Sequence, residues 1–209
     1  MAEHPLVAID RLTYYLRTLE YLKSKGYESI SSNQLAQYCG INATLVRKDL
    51  SRFGSFGTRG KGYNLDQLID NLNSILGLDR EWRVALIGVG YLGKALIYFD
   101  GFRKRGFKIA AAFDKDPYKV GKLIDNVMVY DISQLEKIIP SLNIQMVVLT
   151  IPQSSAVEIY ERVIKCGIKG IINFSPVFLG TDDNRGIFVK NIALIQDFET
   201  ISFYLTHLE

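Results

Sequence analysis

Hydrophobic residues recur every three or four positions over residues 6–22. This spacing places them on one face of an α-helix, so the pattern predicts an amphipathic helix that is stopped at Gly26. The same spacing returns over residues 65–76 and predicts another amphipathic helix, which ends near Gly77. Both apolar faces need a buried partner, which favours a small domain over residues 1–78.

Two shorter helices are predicted between these. Ser31 stands three residues before a glutamine and can form a capping box, so a helix is expected over 34–38, followed by a glycine turn at 39–40. Asn42 can cap a second helix that runs through Phe53. A short helix, a tight turn and a second helix are the parts of a helix-turn-helix.

The second of these helices has a basic polar face. Leu45, Val46 and Leu50 would point inward, and the candidates for DNA contacts on the other side are Thr44, Arg47, Lys48, Ser51 and Arg52. A glycine-rich loop over 54–62 follows and is consistent with a hairpin wing that carries Arg59 and Lys61. Arginine on such a loop suits the minor groove, whereas the helix suits the major groove.

The distribution of charge supports a polyanionic partner for this region. Between Thr44 and Tyr63 there are five Lys or Arg residues and one acid, which gives +4, while the whole chain carries +3. After residue 80 there are 15 basic and 14 acidic residues, so the positive field is local. The alternative is a solvated helix face with a flexible loop, which needs no partner.

The pattern changes after residue 82. Apolar runs of the buried-strand type alternate with segments of helix length, at 84–87, 109–113, 146–150 and 171–174. Such alternation predicts an α/β domain with a parallel, Rossmann-type sheet over 82–190. In the last segment, 191–209, a helix is predicted over 198–208. Its apolar face is wider than a surface helix needs, so we expect it to be buried against a partner subunit.

A Gly-x-Gly-x-x-Gly sequence follows the first of these predicted strands. Gly88 can make the tight turn, Gly90 lets a pyrophosphate approach the backbone, and Gly93 allows helix and strand to pack closely. The N-terminus of the following helix would offer N–H groups to the phosphates. The candidate cofactor-binding residues here are Gly88, Val89, Gly90, Tyr91, Leu92 and Gly93. A tight turn without a ligand is the alternative.

An acidic residue stands at the end of the next predicted strand. Asp114 lies 21 residues after Gly93, where a carboxylate can accept both hydroxyls of an adenosine ribose. The same carboxylate would repel a 2′-phosphate, so NAD is favoured over NADP, although the adjacent Lys115 weakens that preference. In the alternative interpretation Asp114 only caps a loop.

Two later strand ends add candidates at the same edge of the sheet. Thr150, Ile151 and Pro152 follow one predicted strand and could line the nicotinamide side of a dinucleotide. Asn173 and Phe174 follow the next one and have the same ambiguity, because polar residues and proline after a strand are also ordinary loop chemistry.

Several classes of protein are disfavoured. Cys39 and Cys166 form neither a disulfide framework nor a metal motif, and no run approaches the roughly 18 apolar residues of a membrane span. Without a signal pattern, a cytoplasmic protein is expected. His4 and His207 lie near the two termini, so no imidazole is placed to serve hydride transfer. We therefore assign no catalytic residue and no metal site.

Four longer motifs occur in order along nearly the whole chain. They are Arg-Lys-Asp-Leu-Ser-x-Phe-Gly-Ser-Phe-Gly-Thr-Arg-Gly at 47–60, Gly-Val-Gly-x-Leu-Gly at 88–93, Phe-Asp-x-Asp-Pro at 113–117 and Gly-Ile-Lys-Gly-Ile-Ile-Asn-Phe-Ser-Pro at 167–176. Their combination resembles the bacterial redox-sensing transcriptional repressors of the Rex family. The resemblance implies a homodimer of two-domain subunits that exchange their last helix. It also implies that NADH releases operator DNA, whereas NAD+ permits repression.

The resemblance assigns roles to further residues. Arg17 matches a family arginine that lies between the two domains and couples them, and Tyr98 matches a tyrosine that helps to distinguish the two redox states. In the family this tyrosine commonly interacts with an Asp, but Ala193 stands at that position in this chain. Arg52 replaces an aromatic residue that usually precedes Phe-Gly, which adds a phosphate contact.

The resulting interpretation is an NAD(H)-responsive repressor of a palindromic, AT-rich operator. Arg47, Lys48 and Ser51 would enter the major groove, and Arg59 and Lys61 would act from the wing. One alternative is a small NAD-dependent dehydrogenase with an accessory basic N-terminal domain, which the missing histidine disfavours. Another is a module that binds CoA or a nucleotide without contacting DNA.

Overall fold

The chain divides into two units between Arg80 and Glu81, and the computed structural model describes residues 6–57 and 62–207. The described residues of the first unit form four helices and two short strands: α1 (Leu6–Ser24), β1 (Ser29–Ile30), α2 (Ser32–Cys39), α3 (Ala43–Ser51), β2 (Tyr63–Asn64) and α4 (Leu65–Ile75). The apolar faces of all four helices contribute to one core, in which Leu12, Leu35, Val46 and Leu68 are buried. Each such side chain stabilises the fold by about 1.5–3 kcal/mol.

The helix-turn-helix is built from local caps. The Ser31 hydroxyl oxygen accepts the N–H of Gln34 at 3.2 Å, and the Gln34 side chain accepts the N–H of Ser31 at 2.9 Å, which completes the expected capping box. Gly40 ends α2 in the left-handed conformation, with φ +64°. Asn42 then caps α3 by accepting the N–H of Thr44 at 2.7 Å.

The bounds of the two short helices differ from those predicted. α2 begins at Ser32, directly after its cap, rather than at residue 34. α3 ends at Ser51, two residues before Phe53, because the N–H groups of Arg52 and Phe53 turn back to the carbonyl oxygens three residues earlier. The positive φ of Gly54 then redirects the chain.

The two short strands close the first unit. Ser29 pairs with Asn64 and Ile30 with Tyr63 in antiparallel register, which joins the end of α1 to the start of α4. The segment between α3 and β2 corresponds to the expected wing. The two cationic residues predicted to act from the wing, Arg59 and Lys61, lie outside the described residues.

The second unit is organised on one seven-stranded sheet. Its strands are β3 (Trp82–Ile87), β4 (Phe107–Asp114), β5 (Leu123–Ile124), β6 (Val127–Asp131), β7 (Met146–Leu149), β8 (Gly170–Asn173) and β9 (Phe188–Asn191). They lie in the order β5-β6-β4-β3-β7-β8-β9, and all pairs are parallel except β5 with β6. The six parallel strands have the order of a dinucleotide-binding sheet. Successive strands are added on one side of β3 up to β6 and on its other side from β7 onward, so the switch point lies between β3 and β7.

Helices link the strands of this sheet. They are α5 (Tyr91–Ile97), α6 (Asp100–Lys104), α7 (Leu135–Ser141) and α8 (Gln153–Lys165), and a 3-10 turn, Ile132–Gln134, precedes α7. Ile87 pairs with both Phe113 and Leu149, so the carboxyl ends of β3, β4 and β7 meet at one edge. The predicted α/β fold, with a helix-turn-helix unit before a Rossmann-type sheet, is confirmed.

The last helix, α9 (Leu194–His207), begins four residues before the predicted start. Every residue of α9 is exposed, including seven large apolar side chains: Leu194, Ile195, Phe198, Ile201, Phe203, Tyr204 and Leu205. Its burial against a partner subunit stays a prediction. Over the described ranges, no helix combines the length and the apolar character needed to cross a membrane.

Candidate functional site

The glycine-rich loop after β3 lies against the end of β7. Gly88 has φ +98°, and a Cβ atom at this position would lie 2.5 Å from the carbonyl oxygen of Thr150. A Cβ atom on Gly93 would overlap the carbonyl oxygen of Gly88. Gly90 differs, because nothing lies within 4 Å of the place that its Cβ would occupy. Gly88 and Gly93 therefore serve the turn and the packing, while Gly90 leaves the backbone open to a ligand.

Thr150 fastens this loop to the neighbouring strand. Its hydroxyl donates a hydrogen bond to the carbonyl oxygen of Gly88 at 2.6 Å. From the other side, the N–H of Gly88 donates to the carbonyl oxygen of Phe113 at 2.8 Å, so the loop is tied to both strands that flank β3. Ile151 is half-buried near Gly88, and Pro152 is exposed immediately before α8.

Asp114 ends β4 beside the same loop and is only 9% exposed. Its Oδ2 accepts the N–H of Val89 at 2.7 Å and the ammonium of Lys119 at 3.1 Å, while Oδ1 accepts the N–H of Asp116 at 2.9 Å. Burial opposes ionisation, but the two backbone donors and the Lys119 cation outweigh it, so the pKa of Asp114 lies below its usual value. Lys115, the cation expected beside Asp114, is exposed, and Lys119 forms the ion pair.

Asn173 at the end of β8 is 1% exposed, and its side chain serves the following loop. Its amide nitrogen donates to the carbonyl oxygen of Val177 at 2.7 Å and to the side-chain oxygen of Asn191 at 2.8 Å. Its amide oxygen accepts both the N–H and the hydroxyl of Ser175. These four bonds use the hydrogen-bonding capacity of the amide, so the side chain can only support a cofactor site indirectly. Phe174 beside it is half-buried.

Three aromatic or apolar side chains of the candidate site are open to solvent. Tyr91 is 98% exposed at the first position of α5, and Leu92 follows it at 42%. Tyr98, which caps the other end of α5, is 62% exposed. Exposed groups of this size next to an open backbone are typical of a surface that a ligand or a partner covers.

The polar face of α3 is exposed at each of the candidate DNA-binding positions that are described: Thr44, Arg47, Lys48, Ser51 and Arg52. The guanidinium of Arg47 donates to the hydroxyl of Ser32 at 3.0 Å and to that of Thr44 at 3.1 Å. These bonds hold Arg47 between the starts of α2 and α3. The hydroxyl of Ser51 donates to the carbonyl oxygen of Lys48 at 3.0 Å. The helix thus presents a basic surface with one arginine already oriented.

The opposite face of α3 carries a buried charge. Asp49 is completely buried and accepts two hydrogen bonds from the guanidinium of Arg11, at 2.5 and 2.7 Å, and one from the hydroxyl of Tyr15 at 2.8 Å. Burial opposes ionisation of Asp49, but the Arg11 and Tyr15 bonds outweigh it and lower its pKa. Burial and the bond to Asp49 raise the pKa of Tyr15. α3 is therefore fastened to α1 by a charged network inside the core.

Sequence reasoning missed Asp49 and Lys119 as structural participants. Asp49 lies three residues after Val46 and directly before Leu50, so the helical period already placed it on the inward face. Asp49 entered the sequence-based prediction only in the count of charges, and its inward position was not considered. Lys119 lies five residues beyond Asp114, and the adjacency of Lys115 in sequence drew attention to the wrong cation.

Comparison with known families divides the chain in the same two parts. Residues 5–51 match a family described as "Putative DNA-binding protein N-terminus", and residues 79–177 match the "CoA binding domain". The redox-sensing transcriptional repressor Rex of Roseiflexus sp. (strain RS-1) is 39% identical over 205 residues, which cover 98% of this chain and 92% of the relative. The chain belongs to the Rex family. The Rex repressor of Carboxydothermus hydrogenoformans is 40% identical over 199 residues, 95% of each chain.

Solved Rex structures share the fold over nearly the full length. RSP in complex with beta-NAD+ and operator DNA matches with a TM-score of 0.92 at 36% identity and covers 98% of this chain and 94% of that one. RSP in complex with beta-NADH matches with a TM-score of 0.88 at 34% identity, covering 98% and 95%. These Rex relatives are transcriptional repressors and not enzymes.

Proposed function

We propose that this Rex-family member is a transcriptional repressor that binds operator DNA under the control of the NADH to NAD+ ratio. The observation that carries the proposal is the near full-length likeness to RSP, a protein solved both with NAD+ and operator DNA and with NADH. In our proposal NADH favours the form that releases DNA, and NAD+ permits binding. The nucleotide needs only a different affinity for the two forms to drive this switch.

The DNA-binding surface of the proposal is the exposed face of α3. Arg47, Lys48 and Ser51 enter the major groove, with Thr44 and Arg52 toward the phosphates, and Arg59 and Lys61 act from the wing. The bonds from Arg47 to Ser32 and Thr44 support this, because an oriented guanidinium loses less freedom on binding. A two-fold dimer would read a palindromic, AT-rich operator.

The nucleotide lies, in this proposal, across the carboxyl edge of the sheet. The pyrophosphate approaches at Gly90, and the adenosine ribose faces Asp114 and Lys115. The other residues proposed to line or support the site are Gly88, Val89, Tyr91, Leu92, Gly93, Tyr98, Thr150, Ile151, Pro152, Asn173 and Phe174. The open position at Gly90, next to the close packing at Gly93, supports this placement.

A homodimer that acts in the cytoplasm completes the proposal. The seven exposed apolar side chains of α9 support its burial in the partner subunit, and Arg17, exposed on α1, would couple the two domains. Ala193 is half-buried directly before α9 and has no carboxylate to offer Tyr98. Redox discrimination in this member would therefore not use the usual Asp–Tyr interaction.

The direct test measures operator binding by fluorescence anisotropy at fixed total nucleotide while the NADH to NAD+ ratio is varied. The duplex is a short palindromic AT-rich site, and a scrambled duplex serves as the control. We expect the complex to dissociate as NADH replaces NAD+. Equal effects of the two nucleotides would refute redox sensing while leaving nucleotide binding intact. Consumption of NADH with an added reducible metabolite, or formation of NADH from NAD+ with an oxidisable one, would instead favour a dehydrogenase.

The DNA surface is tested with Arg47→Ala against Arg103→Ala. Arg103 is an exposed arginine of the second unit that pairs with Asp100. We expect Arg47→Ala to weaken specific operator binding by about 1–3 kcal/mol and to reduce discrimination against the scrambled duplex. Arg103→Ala should leave both unchanged. Equal losses in the two variants would contradict the placement of α3 in the groove.

A further inference from the structure

The carboxylate of Asp114, which faces the ribose in the proposed site, already forms an ion pair with a lysine of the same chain. The ammonium of Lys119 lies 3.1 Å from Oδ2 of Asp114 and 3.5 Å from Oδ2 of Asp116. With Lys115, these residues form a group of two acids and two cations whose net charge is zero. A bare carboxylate would reject a 2′-phosphate strongly, whereas this balanced group rejects it far less.

The hydrogen bonds at Asp114 limit what the carboxylate can offer a ligand. Oδ2 already accepts from Val89 and Lys119, so its two lone pairs are used, while among the described residues Oδ1 accepts one bond, from Asp116. One acceptor position is left on Oδ1 for a ribose hydroxyl. Lys119, whose side chain is 30% exposed, has three N–H donors and can direct one of them outward to a ligand oxygen.

We propose that Lys119 is a specificity-determining residue of the nucleotide site, which sets how strongly a 2′-phosphorylated dinucleotide is rejected. The proposal rests on the proposed function, because it assumes that the adenosine ribose lies at the end of β4. Asp114 supplies the preference for the unphosphorylated ribose. Lys119 reduces that preference by holding a positive charge against the same carboxylate, where a 2′-phosphate would come to lie.

The first test compares NADH and NADPH binding to the full chain by isothermal titration calorimetry, before and after Lys119→Gln. Removing this cation should weaken NADPH binding about tenfold more than NADH binding. The control is Lys122→Gln, which replaces an exposed lysine three residues further along the same segment. It should leave the ratio of NADH affinity to NADPH affinity unchanged. Lys119→Arg keeps the charge and should retain the ratio of the unsubstituted protein. An unchanged NADH to NADPH ratio in Lys119→Gln overturns the proposal.

A double-substitution cycle provides the second test. Asp114→Asn removes one negative charge and leaves Lys119 with its ion pair to Asp116, so the group gains a net positive charge and NADPH should bind about tenfold more tightly than to the unsubstituted protein. In the double variant Asp114→Asn/Lys119→Gln this gain should disappear. A gain that persists without Lys119 contradicts its role. Circular dichroism checks that the variants fold, and Lys119→Gln decides alone if Asp114→Asn does not.

The two proposals fail in different ways. If the unsubstituted protein binds neither NADH nor NADPH, the proposed nucleotide control is wrong and the role of Lys119 falls with it. If NADH binds well but the ratio does not respond to Lys119, only the specificity assignment is wrong.

Discussion

Each unit of the molecule contains one buried aspartate that is paired with a cation, but the two are held differently. Within the described part of the chain, Asp49 receives its hydrogen bonds from the side chains of Arg11 and Tyr15, and it has no exposed surface. Asp114 receives two of its three bonds from backbone N–H groups and keeps a small exposed fraction.

The difference separates a charge that is used entirely within the structure from one that keeps acceptor capacity for the proposed nucleotide site. Asp49 on α3 accepts hydrogen bonds from Arg11 on α1, so its charge serves to fix the position of α3 relative to α1. Asp114 is fixed by the backbone of its own loop and of the glycine loop, and one acceptor position on its Oδ1 is not used by these bonds. Burial of a charge thus indicates a ligand site only where some of its capacity is left unused.

We expect the largest effect on stability from Asp49→Ala, which removes the structural carboxylate of the first unit. This change leaves the half-buried Arg11 guanidinium and the buried Tyr15 hydroxyl without their acceptor, so we expect a loss of about 3 kcal/mol in the free energy of unfolding of the first unit. Urea unfolding followed by circular dichroism measures it. The matched control is Asp66→Ala, which removes the exposed ion pair with Lys23 and should cause no measurable change. Equal stability of the two variants would contradict the structural role of Asp49.

The glycine loop of the second unit allows the same distinction between a structural role and a binding role to be tested at Gly93 and Gly90. Gly93→Ala places a methyl group against the carbonyl oxygen of Gly88 and should cost about 1–3 kcal/mol of stability. Gly90→Ala meets no protein atom, so its stability should stay within about 0.5 kcal/mol of the unsubstituted protein. We nevertheless expect NADH affinity to fall about tenfold or more, because the methyl group occupies the ligand's approach. Thermal unfolding and NADH titration measure both, and normal NADH binding by Gly90→Ala would contradict the site.

The same contrast explains what the sequence could predict. Asp114 was found because its distance from Gly93 follows from the geometry of a strand, a turn and a helix, which repeats in every dinucleotide-binding sheet. The amphipathic helices and buried strands were found because their periods are also local. The helical period also places Asp49 on the inward face, but its partner, Arg11, lies 38 residues away on another helix, so the ion pair itself could not be predicted. Interactions between distant residues leave no period in the sequence.

Asn173 gives the opposite lesson. Its place after a strand left both a ligand contact and ordinary loop chemistry open, and its amide forms hydrogen bonds with Ser175, Val177 and Asn191 in the loop that leads to β9. The position at the sheet edge was correct, whereas the direction of the side chain depended on residues that follow it. A strand end therefore predicts where a polar group lies more reliably than what that group binds.

A smaller effect is expected from Tyr15→Phe. The hydroxyl of Tyr15 donates to Asp49, and its removal leaves both bonds from Arg11 in place. We expect the free energy of unfolding to fall by about 1.5 kcal/mol. Tyr14→Phe removes the hydroxyl of the neighbouring, half-exposed tyrosine on α1 and should change stability little. If both variants unfold alike, the Tyr15 hydroxyl contributes nothing to the network.

The last prediction concerns how the two aspartates make the free energy of unfolding depend on pH, an effect that is absent near neutral pH and develops in acid. Both have a pKa below the usual value, so each contributes stability that is complete above the unfolded pKa of about 3.9 and is lost as the pH falls through the folded pKa. The stability difference between the unsubstituted protein and Asp49→Asn should therefore be constant from pH 7 to about 5 and shrink below about 4. Urea unfolding across this range tests it. A difference that already shrinks between pH 7 and 6 would mean that the charge of Asp49 is not what fastens α3 to α1.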